Sequence, residues 1–180
     1  MTTTAAPAVS DDGFEALDAC HRQTIETLRQ LEALVARLDG SPLDAADRAT
    51  AAEAMRFFAE TSRLHHEDEE RHVFPKLLTG PDLQLAGHVR RLQEDHHWLA
   101  ADWNELAPQL DALASGHNWV DIDVLREGVA VFLALSFEHV ELEESCIYPQ
   151  ARAQAVKGER RAMAREMAAR RHAMRAPVKD

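Results

Sequence analysis

Two segments of this chain share one arrangement of titratable residues. "LHHEDEERHVFP" covers residues 64–75, and "FEHVELEESCIYP" covers residues 137–149. In each segment a histidine is followed four residues later by a glutamate, and six residues after that by a proline. The matching positions are His65, Glu69 and Pro75 in the first segment, and His139, Glu143 and Pro149 in the second. A helical fold must either expose such groups to solvent or neutralise them inside the protein.

The repeat extends beyond these two segments. His21 precedes His65 by 44 residues, and His96 precedes His139 by 43 residues. Each half of the chain therefore contains a helix with one histidine, followed by a helix with the HisxxxGlu pattern. This regularity predicts a duplicated helical hairpin.

The hydrophobic pattern indicates the fold class. Apolar residues recur every three or four positions over residues 14–38, 45–78, 83–113 and 124–155, which is typical of amphipathic helices. Glycine and proline are sparse, at seven each, which also favours helix over sheet. Because the connections are short, we expect an all-α, up-down-up-down four-helix bundle over residues 12–155. Pro108 is expected to kink or divide the third helix.

The ends of the chain differ from the bundle in composition. Residues 1–11 are rich in Thr, Ala and Pro and are expected to be flexible. Residues 156–180 are basic and predict an additional C-terminal helix and tail. From Lys157 onward the net charge is +5, whereas the rest of the chain carries −16. We therefore expect the last helix to pack on the acidic bundle, on a second subunit or on a protein partner.

Charge and composition exclude several classes of protein. A formal charge of −11 argues against nucleic acid as the main partner. The longest apolar run, residues 128–137, is about half the length that a membrane span needs. Two cysteines, Cys20 and Cys146, fit a reducing compartment, and the first residues lack the pattern of an export signal. We expect a cytoplasmic protein with neither nucleic acid nor membrane as a partner.

The HisxxxGlu pattern predicts a metal site. On a helix, residues four apart lie about 40° apart on one face, so both side chains reach one point. Burying two carboxylates without compensation costs roughly several kcal/mol each, and no Lys or Arg lies nearby on the inward line. Histidine and carboxylate donors suit iron, with manganese and zinc as alternatives. The candidate ligands are His21, His65, Glu69, His96, His139 and Glu143.

This donor set suits two ions that share the glutamates. Four histidines and two bridging carboxylates do not saturate two six-coordinate ions. The remaining positions could hold an oxo or hydroxo bridge and a small ligand such as O₂, NO or peroxide. We therefore expect two iron ions with such a bridge.

The same six residues resemble the hemerythrin-like HHE cation-binding family over about residues 12–155. The endings "HVFP" and "CIYP" also resemble the LFP sequence that follows HxxxE in that family. The resemblance implies a non-haem di-iron site at the centre of a four-helix bundle. It further implies O₂ binding, NO or peroxide chemistry, or iron or oxygen sensing. Ala100 and Glu144 stand where the oxygen carriers have a histidine and an aspartate, so the resemblance gives less support to oxygen transport.

Several neighbouring residues have more than one interpretation. His97 competes with His96, although the repeat and the apolar stripe favour His96. His72 and Cys146 are interpreted as core residues, with an extra ligand or proton donor and an oxidisable thiol as the alternatives. His88 either lines an entrance or simply packs. The residues expected at the surface or behind the ligands are His66, Glu67, Glu70 and Glu144.

Function beyond metal binding has two main hypotheses. One is binding or redox processing of a small ligand at the open metal positions. The other is a non-enzymatic iron or oxygen sensor, or an adaptor, in which the metal site acts as a structural switch. A bundle without metal is the third interpretation, and it requires Glu69 and Glu143 to face solvent.

Overall fold

The computed structural model describes residues 11–38, 43–117 and 120–175. These residues form helices and connections without a strand, which confirms the predicted all-α bundle with an additional C-terminal helix. The segment expected to be flexible, residues 1–11, lies outside the described residues except for its last position. None of the helices in the described ranges has the length and apolar character needed to cross a bilayer.

Four helical rods form the bundle, and two of them contain a π-helical segment. The first rod is α1, Gly13–Ala36, and the third is α5, Leu83–Ala114. The second rod consists of α2 (Ala45–Arg56), the π-helical segment Phe57–Ser62, α3 (Arg63–His72) and α4 (Phe74–Leu78). The fourth rod consists of α6 (Ile122–Leu142), the π-helical segment Glu143–Ile147 and α7 (Tyr148–Gln154). The additional helix is α8, Lys157–Arg175.

The rods pack in a closed ring. Helix α1 contacts α2 and α6, and α5 contacts the same two helices from the opposite side. Each rod thus contacts the two rods beside it, as expected for an up-down-up-down bundle with short connections.

Local sequence explains where the rods begin and end. The side chains of Asp12, Asp82 and Asp121 accept backbone N–H groups in the first turns of α1, α5 and α6. Gly116 follows α5 with φ of 80°, a conformation that favours glycine.

Pro108 does not divide α5, which was one of the two outcomes expected from the sequence. Its position is exposed, so solvent can satisfy the carbonyl of Asn104, which proline leaves without a helix donor.

Two apolar cores flank a polar layer at the middle of the rods. One core includes Leu31, Phe58 and Trp103, and the other includes Leu17 and Phe74. The candidate ligands lie between these cores. Apolar packing on both sides therefore fixes the rotation of each rod, and with it the direction of every candidate ligand.

The basic helix α8 packs on the acidic bundle. Met163 and Met167 are buried against the start of α1, where a Cβ on Gly13 would lie only 2.4 Å from the Cγ of Met163. Arg170 and Arg171 both pair with Asp68 of α3. Apolar contacts and ion pairs thus hold α8 against the first and second rods.

Candidate metal centre

The six residues singled out by the sequence meet in the polar layer. Helix α1 supplies one histidine, α3 a histidine and a glutamate, α5 one histidine, and the fourth rod the last histidine and glutamate. All six are buried: Glu69 and Glu143 have no exposed surface, and the exposed fraction of the histidines does not exceed the 8% of His96. The bundle thus encloses two carboxylates among imidazole rings.

Each carboxylate directs its two oxygens to different histidines. Oε1 of Glu69 lies 3.3 Å from Nε2 of His65, whereas its Oε2 lies 3.5 Å from Nε2 of His96. Oε2 of Glu143 lies 3.1 Å from Nε2 of His21, whereas its Oε1 lies 3.3 Å from Nε2 of His139. Both glutamates therefore connect two groups of nitrogen donors.

These groups define two half-sites. The first half-site contains His21 and His65, and the second contains His96 and His139. In each of two sets, the potential ligand atoms lie within 4.8 Å of one another. One set is His21, His65, Glu69 and Glu143, and the other is His66, Glu69, His96 and His139. The geometry suits one cation in each half-site with the carboxylates between them.

Many of the inward-facing atoms have no hydrogen-bond partner among the described residues. They are Oε2 of Glu69, both carboxylate oxygens of Glu143, and Nε2 of His65, His96 and His139. A buried donor or acceptor without a partner costs about 1–3 kcal/mol, so this many together would strongly destabilise the fold. Cations bound between these atoms would satisfy them, and the donor set therefore fits two metal ions.

Electrostatics of the metal-free cluster lead to the same conclusion. Burial and the neighbouring charge of Glu143 raise the pKa of Glu69. Burial also opposes the ionised form of Glu143, but the rings of His139 and His21 outweigh it and lower the pKa of this carboxyl well below its usual value. Burial lowers the pKa of His65 well below the ordinary histidine value. Without cations, the site therefore disfavours ionisation of both carboxyl groups together.

A second layer of carboxylates orients the histidines. Nδ1 of His21 lies 3.1 Å from Glu144, and Nδ1 of His96 lies 3.1 Å from Glu70. Because a carboxylate accepts the Nδ1–H proton, each ring turns the lone pair of Nε2 toward the cluster. Glu70 and Glu144 thus lie behind the ligands, as the sequence predicted. Asp95 was not identified from sequence, although its carboxylate approaches Nδ1 of His139 at 3.7 Å.

The structure places His66 inside the cluster, whereas the sequence placed it at the surface or behind the ligands. Its ring stacks on His96, with centroids 4.1 Å apart and an interplanar angle of 11°. His66 lies about 100° from His65 around the helix, but only about 60° from Glu69, on the opposite side. A site centred on Glu69 therefore accepts both histidines of the doublet. The adjacent pair His65–His66 is the sequence feature that could have indicated a second histidine at the site.

Two of the histidines that had alternative interpretations, His97 and His72, lie outside the cluster. His97 is exposed, and its Nδ1 lies 2.6 Å from the carbonyl oxygen of Gln93. Nε2 of His72 lies 2.5 Å from Glu166 of α8. His72 therefore helps to attach α8, in keeping with a satisfied histidine rather than an additional ligand.

The two cysteines also lie outside both sets of ligand atoms. Sγ of Cys146 lies 3.5 Å from Nδ1 of His88, which accounts for both partly buried groups. Cys20 is buried on α1, and burial raises the pKa of its thiol to about 12. Because the thiolate is the reactive form, Cys20 is expected to be inert.

Tyr148 reaches the cluster from the start of α7. Its hydroxyl donates a hydrogen bond to Oε1 of Glu69 and lies 3.1 Å from Nε2 of His21. Burial, with the nearby charges of Glu69 and Glu143, raises the pKa of Tyr148 well above its usual value. Tyr148 corresponds to Phe74 in the duplicated sequence, one residue before the matching prolines, and the sequence did not identify it as a site residue.

A cavity leads from solvent to the cluster. It has a volume of about 870 Å³ and lies mainly between the second and third rods. Apolar side chains such as Phe58, Leu99 and Trp103 line one part of it. The five clustered histidines also line it, among them His66 and His139. A small molecule therefore has a route to the cluster.

Comparison with known proteins agrees with this geometry. Residues 12–151 match the family described as hemerythrin HHE cation binding domain. An uncharacterized protein of Haemophilus influenzae is 30% identical over 138 residues, which are 76% of this chain and 77% of that protein. Residues 12–151, which match the family, include all six candidate ligands.

Proposed function

We propose that this chain, which belongs to the hemerythrin HHE cation-binding domain family, holds two iron ions joined by an oxo or hydroxo bridge. At this centre it would bind a small ligand such as O₂, NO or peroxide, or process it by redox chemistry. The observation that carries the proposal is the pair of buried glutamates, Glu69 and Glu143, whose oxygens divide between two groups of histidines. The nitrogen and carboxylate donors suit iron, with manganese and zinc as alternatives.

The residues of the centre would have different roles. His21 and His65 would hold the first ion, His66, His96 and His139 the second, and the two glutamates would connect them. When bound, the iron ions would supply or accept the electrons that the small ligand exchanges. Glu70 and Glu144 keep the Nε2 atoms pointing inward, and the apolar part of the cavity admits small uncharged molecules.

The metal content of the protein tests this proposal. Protein produced in iron-supplemented medium is expected to contain about two iron ions per chain and to show oxo-bridged charge-transfer bands after exposure to air. Glu69→Ala and Glu143→Ala should each lose both features, since each removes a shared ligand. Glu94→Ala, which removes an exposed acid from α5, is the matched control and should retain them. Absence of a transition metal, or binding indifferent to both glutamates, would contradict the proposal.

The assignment of His66 as a ligand gives a second prediction. His66→Ala is expected to weaken iron binding at the second half-site by at least about tenfold, measured by competition with a chelator. His97→Ala changes the exposed histidine one residue after His96 and should leave both affinities unchanged. Equal affinities in the two variants would remove His66 from the ligand set.

A second candidate function is a sensor or adaptor. It is favoured by the contact of α8 with Asp68, the residue immediately before Glu69. A change at the metal site could reach α8 through this contact. Removal of iron from a sensor should change its helicity or oligomeric state, followed by circular dichroism and light scattering. A ligand-processing protein should instead keep its fold and turn over peroxide or NO when loaded.

A further inference from the structure

The hydroxyl oxygen of Tyr148 is as far from His21 as a second ligand of the same ion would be. It is 3.1 Å from Nε2 of His21, the same distance that separates this nitrogen from Oε2 of Glu143. Two donor atoms that meet one ion at a right angle, each about 2.1 Å from it, are about 3.0 Å apart. The phenol oxygen is thus spaced like a member of the first half-site.

The hydroxyl of Tyr148 also donates a hydrogen bond to Oε1 of Glu69, so its oxygen lies beside two members of the first half-site. Nδ1 of His21 donates its proton to Glu144, which leaves Nε2 with a lone pair directed at the ion. An Nε2 atom bound to metal can neither donate nor accept a hydrogen bond. With an ion bound, the 3.1 Å contact between the Tyr148 oxygen and this nitrogen would therefore not be a hydrogen bond, and binding of both atoms to the same ion would explain it.

The ring of Tyr148 is fixed in this position. It is only 2% exposed, and it stacks on His21 with centroids 4.9 Å apart and an interplanar angle of 9°. Phe14 packs against it edge-on at 6.1 Å. Because the ring is held on two sides, the hydroxyl cannot turn away from the cluster without breaking the core.

The duplicated sequence gives an independent argument. A shift of 74 residues places Tyr148 on Phe74 and Val140 on His66. Phe74 stacks on His96 of the second half-site, at 5.6 Å, as Tyr148 stacks on His21 of the first. The repeat therefore provides two histidines to each half-site. Each half-site also has one neighbouring group that the repeat does not provide to the other. The second gains His66, and the first gains the hydroxyl of Tyr148.

We propose that Tyr148 is the third terminal ligand of the first half-site and binds ferric iron through its phenolate oxygen. The proposal rests on the proposed function, because it requires the iron ions. On binding, the hydrogen bond from the phenol to Glu69 is lost, the O–H bond breaks, its proton leaves to solvent, and the freed electron pair forms the bond to iron. No atom is oxidised or reduced in this step. The two ions consequently differ, since the first gains an anionic oxygen ligand and the second a histidine that lines the cavity.

Tyr148 is the single tyrosine in the chain, so a spectroscopic test has one source of signal. The protein loaded with ferric iron is expected to show a phenolate-to-iron charge-transfer band, and resonance Raman excitation in that band should enhance tyrosine vibrations. Tyr148→Phe keeps the stacked ring and removes only the oxygen. It should lose the band and the enhanced vibrations completely, while iron content remains at about two ions per chain. The zinc-loaded protein is the control and should show neither signal.

The possible outcomes separate this inference from the proposed function. If two iron ions bind but the native protein lacks a phenolate band, or Tyr148→Phe retains it, the tyrosine is not a ligand and the di-iron proposal stands. If no iron binds, both proposals fail. Circular dichroism of Tyr148→Phe checks that loss of the band does not come from unfolding.

Discussion

Replacement of Glu69 by glutamine is expected to change stability in opposite directions with and without metal. In the metal-free protein Glu69 is fully buried, and burial together with the charge of Glu143 raises its pKa and so disfavours its ionised form. Glu143 is left unchanged, because the rings of His139 and His21 favour its ionised form. Glutamine has almost the same shape as glutamate and no charge, so the metal-free variant should be more stable than the native chain, on the order of 1 kcal/mol. With iron the order should reverse. Binding to the folded state alone stabilises the native chain by about 4 kcal/mol at a thousandfold excess over Kd.

Urea unfolding measures both halves of this prediction. The free energies of unfolding of the native protein and of Glu69→Gln are compared in chelator, and then with ferrous iron under anaerobic conditions. Glu94→Gln neutralises an exposed acid on α5 and should leave stability almost unchanged in both conditions. If Glu69→Gln is less stable than the native protein in chelator, the buried carboxylate of Glu69 does not need a cation. Equal stabilisation of both proteins by iron would show that Glu69 is not a ligand.

Local helical geometry explains why so much of the site could be predicted. Positions four residues apart on one helix share a face whatever the rest of the fold does. His65 with Glu69, and His139 with Glu143, therefore follow from sequence spacing. The duplication adds His21 and His96, because equal spacing in the two halves leads to equal places in two hairpins. These residues lie on the same side of each rod as its apolar residues, so packing of the apolar faces brings them together in the buried layer.

Residues that depend on the relative rotation of the rods could not be predicted. The sequence defined one inward line through His65 and Glu69, but a site between four rods is wide enough to use both sides of Glu69. His66, on the other side of Glu69 from His65, therefore lies within the site. Tyr148 reaches the ligands from the start of α7, and Asp95 faces His139 on another rod. Side-chain spacing within one helix carries no information about such contacts between rods.

The attachment of α8 leads to the second large effect. Asp68 is fully buried on α3, and its carboxylate pairs with Arg170 and with Arg171, whose Nη2 lies 2.6 Å from Oδ2. Changing both arginines to alanine would leave this carboxylate buried without its partners. Loss of the partner of a buried charge typically costs about 3–5 kcal/mol, so the double variant should unfold at much lower urea concentration. Arg165→Ala, at an exposed position of the same helix, should have little effect.

A double-mutant cycle would show whether the loss comes from the unpaired charge. Asp68→Asn removes the charge, so adding it to the arginine double variant should recover part of the lost stability. Without such recovery, the contribution of the arginines would come from their contacts along α8 instead. Iron content should fall in the arginine double variant, because Asp68 adjoins Glu69 and a displaced α8 would no longer hold this turn of α3. Unchanged iron content together with reduced stability would show that α8 stabilises the bundle without positioning the metal ligands.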